Sequence, residues 1–497
     1  MRFSARPFSL ALVLVSAAFP CHADDPAPEP AAVPPQVCVA EDVLGSALCA
    51  SYPVWENRAT KTGRKIPINI VILRATGAEG KAPDPIFYFA GGPGQAATTT
   101  AGGWAQAAAL RERHDVVLVD QRGTGGSNGL ECKFYGDPPD LARVASGYLG
   151  TKNVERCRAE LEKKADLTQY TTEAAVDDFD EVRAWLGYDK IDVFGGSYGT
   201  TSAQAYLKRH PGSVRALVLD GVAPLDEPYP LHHAAAGQKA ADVLFAECAS
   251  DPACHAAFPH PGEELKAVMA KVEKGIEVEV RDPRDGKKVK VRPDRGVIAD
   301  GIRWFLYGVE EGGKNTLPLR VHRASSGDYG PLVETALENR LTLDRVIAGG
   351  MWLSVTCAED IPRIDPAIVA RETANTFLGD YRVRTQTEAC KVWPRGQVSP
   401  GFWDLPHSDV PALLISGERD PVTPSSFGDR VAKGLPNSLH LLVPHGGHGA
   451  DNDCVNGITL AFLDQGSVKG LDTSCLAKSE PAKFATELPA PKEEAGH

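Results

Sequence analysis

Three short segments carry side chains that together can drive acyl transfer. Phe194-Gly195-Gly196-Ser197-Tyr198-Gly199 sets a serine in G-x-S-x-G spacing. Glycines on both sides let the chain reverse sharply, so the hydroxyl stands clear of the backbone beside a helix N-terminus. A serine hydroxyl is a weak nucleophile until a base takes its proton, and the base needs a carboxylate to orient it. Downstream, Gly417-Glu418-Arg419-Asp420-Pro421 offers Asp420 on a loop, and Pro444-His445-Gly446-Gly447-His448-Gly449 offers His448. The chain order Ser197, Asp420, His448 is the order of a triad built on a strand-to-helix elbow. Glu418, Asp404 and Asp409 compete for the acid role, but Asp409 precedes the adjacent apolar run and Glu418 is held nearer to it. His445 is the competing imidazole, read as a surface or supporting residue. Both histidines with Asp451 and Asp453 are metal-ligand types, but the glycine spacer gives no regular ligand face. The expectation is a site with no metal and no cofactor. A tetrahedral intermediate also needs donors. The N–H of Tyr198 is one, and the loop Gly91-Gly92-Pro93-Gly94 supplies the other, Gly92 ahead of Gly91.

These segments need a frame that brings them to one edge. Short, almost wholly apolar runs occur at Ile66–Leu73, Ile86–Phe89, Val116–Val119, Ile191–Phe194, Leu217–Leu219, Leu413–Ile415 and Leu441–Val443. Such runs read as strands buried on both faces. Helical patterns lie between them, notably Ala174–Leu186 and Tyr198–Arg209, the second closed by His210-Pro211-Gly212. A hairpin begins near Val54-Trp55 ahead of the first run. Strands alternating with helices predict an α/β fold, a mostly parallel sheet with helices on both faces. The alternation stops after Pro224 and resumes near Pro411. Between them lie helices around Ala234–Ala249 and Val297–Tyr307 and a hairpin in which Ile276, Val278 and Val280 alternate before Asp285-Gly286 turns into Val289 and Val291. This insertion reads as a largely helical cap domain. The expected division is 1–23 leader, 24–50 N-terminal extension, 51–224 core, 225–405 cap, 406–476 core and 477–497 disordered tail, the last being rich in Ala, Pro, Glu and Lys.

The formal net charge is −12 over 497 residues. This excludes a nucleic-acid binder, which needs a surplus of Lys and Arg. Hydrophobic residues at 43% are too many for a disordered chain. Arg2 and Arg6 precede the apolar run Phe8–Phe19, and Ala23 follows, the pattern of a cleavable export signal. That run is too short to span a membrane, and no later stretch is long enough. Cys21 follows Phe19-Pro20, a poor match to a lipid-attachment site. The ten remaining cysteines fall into local pairs, Cys38/Cys49, Cys132/Cys157, Cys248/Cys254, Cys357/Cys390 and Cys454/Cys475, as disulfides in an oxidising compartment, periplasmic or extracellular.

Phe89-Ala90-Gly91-Gly92-Pro93-Gly94, Asp120-Gln121-Arg122-Gly123-Thr124-Gly125-Gly126-Ser127 and Gly195-Gly196-Ser197-Tyr198-Gly199 together resemble the secreted α/β-hydrolase peptidases of the proline iminopeptidase and tripeptidyl aminopeptidase type. The resemblance covers Val54–Pro224 and Pro411–Cys475 and is looser in the cap. It implies an α/β-hydrolase fold and release of amino acids or short peptides from free N-termini. Ala90 stands where proline iminopeptidases usually have His, which favours the tripeptidyl type. Asp120 and Arg122 read as a buried structural pair and a turn. The family binds the substrate ammonium with acids from the cap or its edges, and Thr356-Cys357-Ala358-Glu359-Asp360 resembles that segment, so Glu359 and Asp360 are the implied substrate-binding residues. The expected partners are peptides with a free N-terminus. A carboxylesterase or lipase with an apolar pocket and a non-catalytic secreted binding protein are the alternatives on the same fold.

Overall fold

The computed structural model describes residues 30–40, 47–77, 82–147, 149–308 and 314–487; the expected leader at 1–23 and the chain beyond 487 lie outside the described residues. In chain order the strands are β1 (Val33–Cys38), β2 (Ala47–Trp55), β3 (Lys65–Leu73), β4 (Ile86–Phe89), β5 (Val116–Val119), β6 (Ile191–Gly196), β7 (Val214–Asp220), β8 (Val278–Arg281), β9 (Lys288–Val291), β10 (Lys314–Asn315), β11 (Ala412–Gly417), β12 (Ser438–Val443) and β13 (Lys483–Phe484). Nine of them form one sheet in the order β1-β2-β3-β5-β4-β6-β7-β11-β12. The pairs from β5 through β12 are parallel, while β1, β2 and β3 join them antiparallel.

Alternation along the strands divides the core into two layers, because successive side chains leave opposite faces. Ile70, Val117, Val119, Leu217, Leu219 and Leu414 pack on one face with Phe179 and Tyr206 of the helices Thr172–Trp185 and Tyr198–Arg209. Val71, Val116, Leu118, Val218, Leu413 and Ile415 pack on the other with Ala101, Ile458 and Phe462. Burial on both faces is why these runs carry no polar alternation. Among the described residues, no helix is long and apolar enough to cross a membrane.

The cap has its own core, built from helices such as His233–Ser250 and Arg295–Phe305 and the antiparallel hairpin β8–β9. Its boundary differs from the expected 225–405. Tyr135, Leu141 and Val144, which precede the elbow in sequence, pack in the cap core. Met351, Leu353, Cys357 and Trp393, expected in the cap, pack in the body core instead. The chain from 477 to 487 also departs from the disordered end expected of its composition. β13 pairs in parallel with β10, and Ala485 is buried in a small cluster with Cys248, Cys254 and Phe258. Two apolar side chains, Phe484 and Ala485, suffice to anchor a segment that composition alone marks as polar.

The ten cysteines form Cys38–Cys49, Cys132–Cys157, Cys248–Cys254, Cys357–Cys390 and Cys454–Cys475.

Candidate active site

Ser197 follows β6 directly, with φ 55° and ψ −123°. A serine in that region is strained, and the surroundings hold it there. A Cβ on Gly199 would stand 1.9 Å from the Phe89 carbonyl oxygen, and one on Gly195 2.5 Å from the Gly199 oxygen. Both positions therefore demand glycine. The Ser197 N–H donates to the Asp220 carbonyl at 2.8 Å, and the Thr200 hydroxyl donates to the Ser197 carbonyl at 2.6 Å. The elbow is thus pinned to β7 on one side and to the first turn of its own helix on the other.

Asp420 lies three residues past β11 and His448 five past β12. The Asp420 carboxylate accepts from the N–H groups of Val422 and Thr423, both at 2.8 Å, and from the Thr423 hydroxyl at 2.7 Å. It also meets His448 Nδ1 at 2.8 Å. Burial alone would raise this carboxyl, but the imidazole and the Thr423 donors outweigh it and hold Asp420 below its ordinary value. Burial alone would lower His448, but the Asp420 charge and hydrogen bond raise it. With Nδ1 engaged, Nε2 is the nitrogen left to accept a proton, and His448 and Ser197 border the same cavity. The Tyr307 ring meets the imidazole edge-on at 4.9 Å. A Cβ on Gly221 would stand 3.0 Å from His448 Cε1, so the glycine after β7 makes room for the ring. Asp220, at the end of β7, is a second acid near this centre, missed in the sequence. Burial pushes its carboxyl up to about 7, with His448 opposing. Its signal was an acid ending the apolar run Leu217-Val218-Leu219.

The competing residues stand elsewhere. His445 Nδ1 meets Glu247 of a cap helix at 2.8 Å, and its N–H donates to Glu418 at 2.9 Å. Asp404 and Asp409 offer backbone carbonyls to Lys208 and Asn437. Glu247, Glu418 and His445 bring one potential ligand atom each within 4.8 Å of one another, a set already engaged in these hydrogen bonds. Asp120 and Arg122 are both fully buried but do not pair with each other as the sequence reading had them. Asp120 accepts from Asn69, Thr98 and Gly126, while Arg122 pairs with Asp178 at 2.6 Å.

Gly91 and Gly92 lie against the elbow. A Cβ on Gly91 would stand 3.3 Å from Ser197 Cβ, and Gly92 has φ +117°. Tyr198 opens its helix, so its N–H has no intrahelical acceptor. Its phenol is fixed by Gln121 at 3.0 Å and Thr172 at 2.6 Å.

Two cavities meet at Ser197. The smaller, about 70 Å³, is bordered by Gly92, Tyr198, Trp403, Glu227, Glu359 and Asp360. The sequence-predicted pair Glu359 and Asp360 therefore sits beside the serine. Glu359 is 3% exposed and accepts from the Thr172 N–H at 2.7 Å and hydroxyl at 2.6 Å. Burial pushes it up to about 7 despite those donors. Asp360 is raised well above the carboxylate range by burial and by Glu359, with Arg363 opposing. Glu227 was missed; it pairs with His232 and, at 2.8 Å, with Arg430, which hold it low against the effect of burial. Its signal was the acid pair Asp226-Glu227 where the chain leaves β7. The larger cavity, about 440 Å³, is bordered by His448, Tyr307, Asp300, Arg303, Asp344 and Arg382.

Residues 84–247 match the family model described as alpha/beta hydrolase fold, and residues 375–475 match the one described as TAP-like protein. Serine protease Hip1 of Mycobacterium tuberculosis is 25% identical, over 87% of this chain and 88% of that protein. Tripeptidyl aminopeptidase of Streptomyces lividans is 27% identical over 193 residues, 35% of each chain. Proline iminopeptidase of Neisseria gonorrhoeae is 32% identical over 138 residues, 28% of this chain and 32% of that one. The two matched segments carry the elbow and the loops after β11 and β12, and the chain has the α/β-hydrolase fold with a C-terminal segment similar to TAP-like proteins.

Proposed function

We propose that the protein is a serine aminopeptidase, cleaving short peptides from a free N-terminus through Ser197, His448 and Asp420. The observation that carries the reading is the cavity in which three acids, Glu227, Glu359 and Asp360, border the serine. An acyl-ester pocket would be apolar, and burying carboxylates beside the nucleophile costs free energy unless a cation comes to meet them. Glu227 already has Arg430 and His232, so the substrate ammonium is the cation that meets Glu359 and Asp360.

With the peptide so held, Ser197 Oγ attacks the carbonyl carbon while His448 Nε2 takes its proton. Asp420 keeps the proton on Nδ1 and stabilises the imidazolium that forms. The N–H groups of Gly92 and Tyr198 receive the developing oxyanion. His448 then gives its proton to the leaving amine, and water repeats the sequence on the acyl-enzyme. The relatives named serine protease and aminopeptidase support the peptidase class. Five disulfides support function outside the cytosol, in line with the export signal expected at 1–23.

The test is a set of peptidyl anilides with free and acetylated N-termini, beside simple acyl esters. Cleavage confined to free-amine substrates is expected; cleavage of esters alone would defeat the peptidase reading. A peptide-ladder digest read by mass spectrometry then gives the number of residues released per cut.

A further inference from the structure

Cleavage at Ser197 divides a substrate between two compartments of opposite charge. The acyl part, led by its ammonium, lies with Glu227, Glu359 and Asp360. The leaving part faces the larger cavity, and three guanidinium groups, Arg303, Arg340 and Arg382, border it against two carboxylates, Asp300 and Asp344. Asp300 is shared: Arg303 donates to its Oδ1 at 3.0 Å, and Arg382 to the same oxygen at 3.3 Å. Arg303 also donates to the Tyr307 hydroxyl at 2.6 Å, and Arg340 to the Tyr135 hydroxyl at 2.9 Å, both neutral partners. One carboxylate thus answers two guanidiniums in the lining of this compartment. Arg382 borders both cavities, so its charge stands near the scissile bond.

A second observation is independent of this charge count. His233 is 7% exposed, borders both cavities, and neither of its ring nitrogens has a hydrogen-bond partner. A buried, unpartnered imidazole costs free energy that a polar ligand recovers. Neutral imidazole offers one donor and one acceptor, the complement of a peptide unit's C=O and N–H.

We infer that the larger cavity is a subsite for a leaving peptide bearing a free C-terminal carboxylate, held by Arg382 and Arg303 with its backbone on His233. The substrates are therefore short oligopeptides recognised at both ends. This rests on the aminopeptidase reading and adds to it a preference at the opposite terminus. No new covalent step is involved.

The experiment compares kcat/KM on a matched pair of short peptides, one with a free C-terminus and one C-terminally amidated, together with a free-amine peptidyl anilide. A charge-assisted hydrogen bond predicts a preference of roughly ten- to a hundredfold for the free acid in the wild type. Arg382→Gln should bring that ratio near one, and Arg382→Lys should restore part of it. Wild-type enzyme that cleaves the anilide yet treats acid and amide alike overturns the carboxylate subsite and leaves the aminopeptidase reading standing. A ratio unchanged in a folded Arg382→Gln also overturns it. Failure to cleave the anilide or either peptide strikes the aminopeptidase reading itself. Because the wild-type comparison decides alone, a variant that does not fold leaves the test intact.

Discussion

Replacing Asp360 with Asn probes the ammonium site most directly. Its carboxyl borders the small cavity beside Ser197, receives the Tyr229 backbone N–H, and lies near Glu359, whose charge disfavours its own. Arg363 is the nearby cation, but it donates to the carbonyls of Leu225 at 3.3 Å and Asp226 at 2.5 Å. Arg363 thus acts on Asp360 through its charge alone, and a bound ammonium can add the charge-assisted hydrogen bond that Arg363 does not make. A charge-assisted hydrogen bond contributes about 1.5–3 kcal/mol, which at ~1.4 kcal/mol per decade is roughly ten- to a hundredfold in kcat/KM. Asn keeps the shape and loses the charge. The assay is the ratio of kcat/KM for a free-amine peptidyl anilide to that for its N-acetyl counterpart, in wild type and Asp360→Asn. The ratio should fall by that factor. Equal losses on both substrates would refute the reasoning and make Asp360 a structural residue. The pH dependence adds a check with a definite sign. Burial raises Asp360, and Glu359 to about 7, so both lose charge as pH falls and KM for free-amine substrates should rise below neutrality. N-acetyl substrates should show no such rise in KM.

Ser197→Ala should abolish hydrolysis and labelling by an organophosphonate; retained turnover would remove the mechanism. Asp420→Asn should lower kcat by about 10³–10⁴-fold with the fold intact by circular dichroism, because the imidazole loses its tautomer and orientation. The acid limb of kcat/KM should have its midpoint above the ~6.5 of free histidine, since His448 must be neutral to act and Asp420 raises it; a midpoint well below that contradicts the pairing. Removing Cys357–Cys390, which closes 33 residues beside Glu359, should cost ~3–4 kcal/mol in urea unfolding.

The parts legible in the sequence were those whose chemistry is local. A buried strand announces itself by composition, and an elbow, a loop acid and a glycine-flanked histidine are fixed within a few residues of such strands. Glu359 and Asp360 became visible only through a family resemblance. Glu227, Asp220, Arg303, Arg382 and His233 stayed hidden because their meaning comes from packing between distant helices, and an isolated Arg or Asp carries no periodic signal. The edge strand β1 escaped notice because Pro34 and Pro35 read as loop, although proline is tolerated where one side of a strand needs no partner. The cap boundary misled for a similar reason: chain order separates Tyr135 from the helices it joins and Met351 from the body core it completes.

The pairing of β13 with β10 moors the cap once more, beyond the segments around Tyr135–Val144 and Phe377–Leu378 where the chain passes from the body into the cap core and back. A roof tied at several points should resist swinging and sort reactants by the width of a standing doorway instead of by a hinge. Shortening the protein to end at Cys475 would cut that last rope, and looser size selection would be the first symptom, well before the floor beneath gave way.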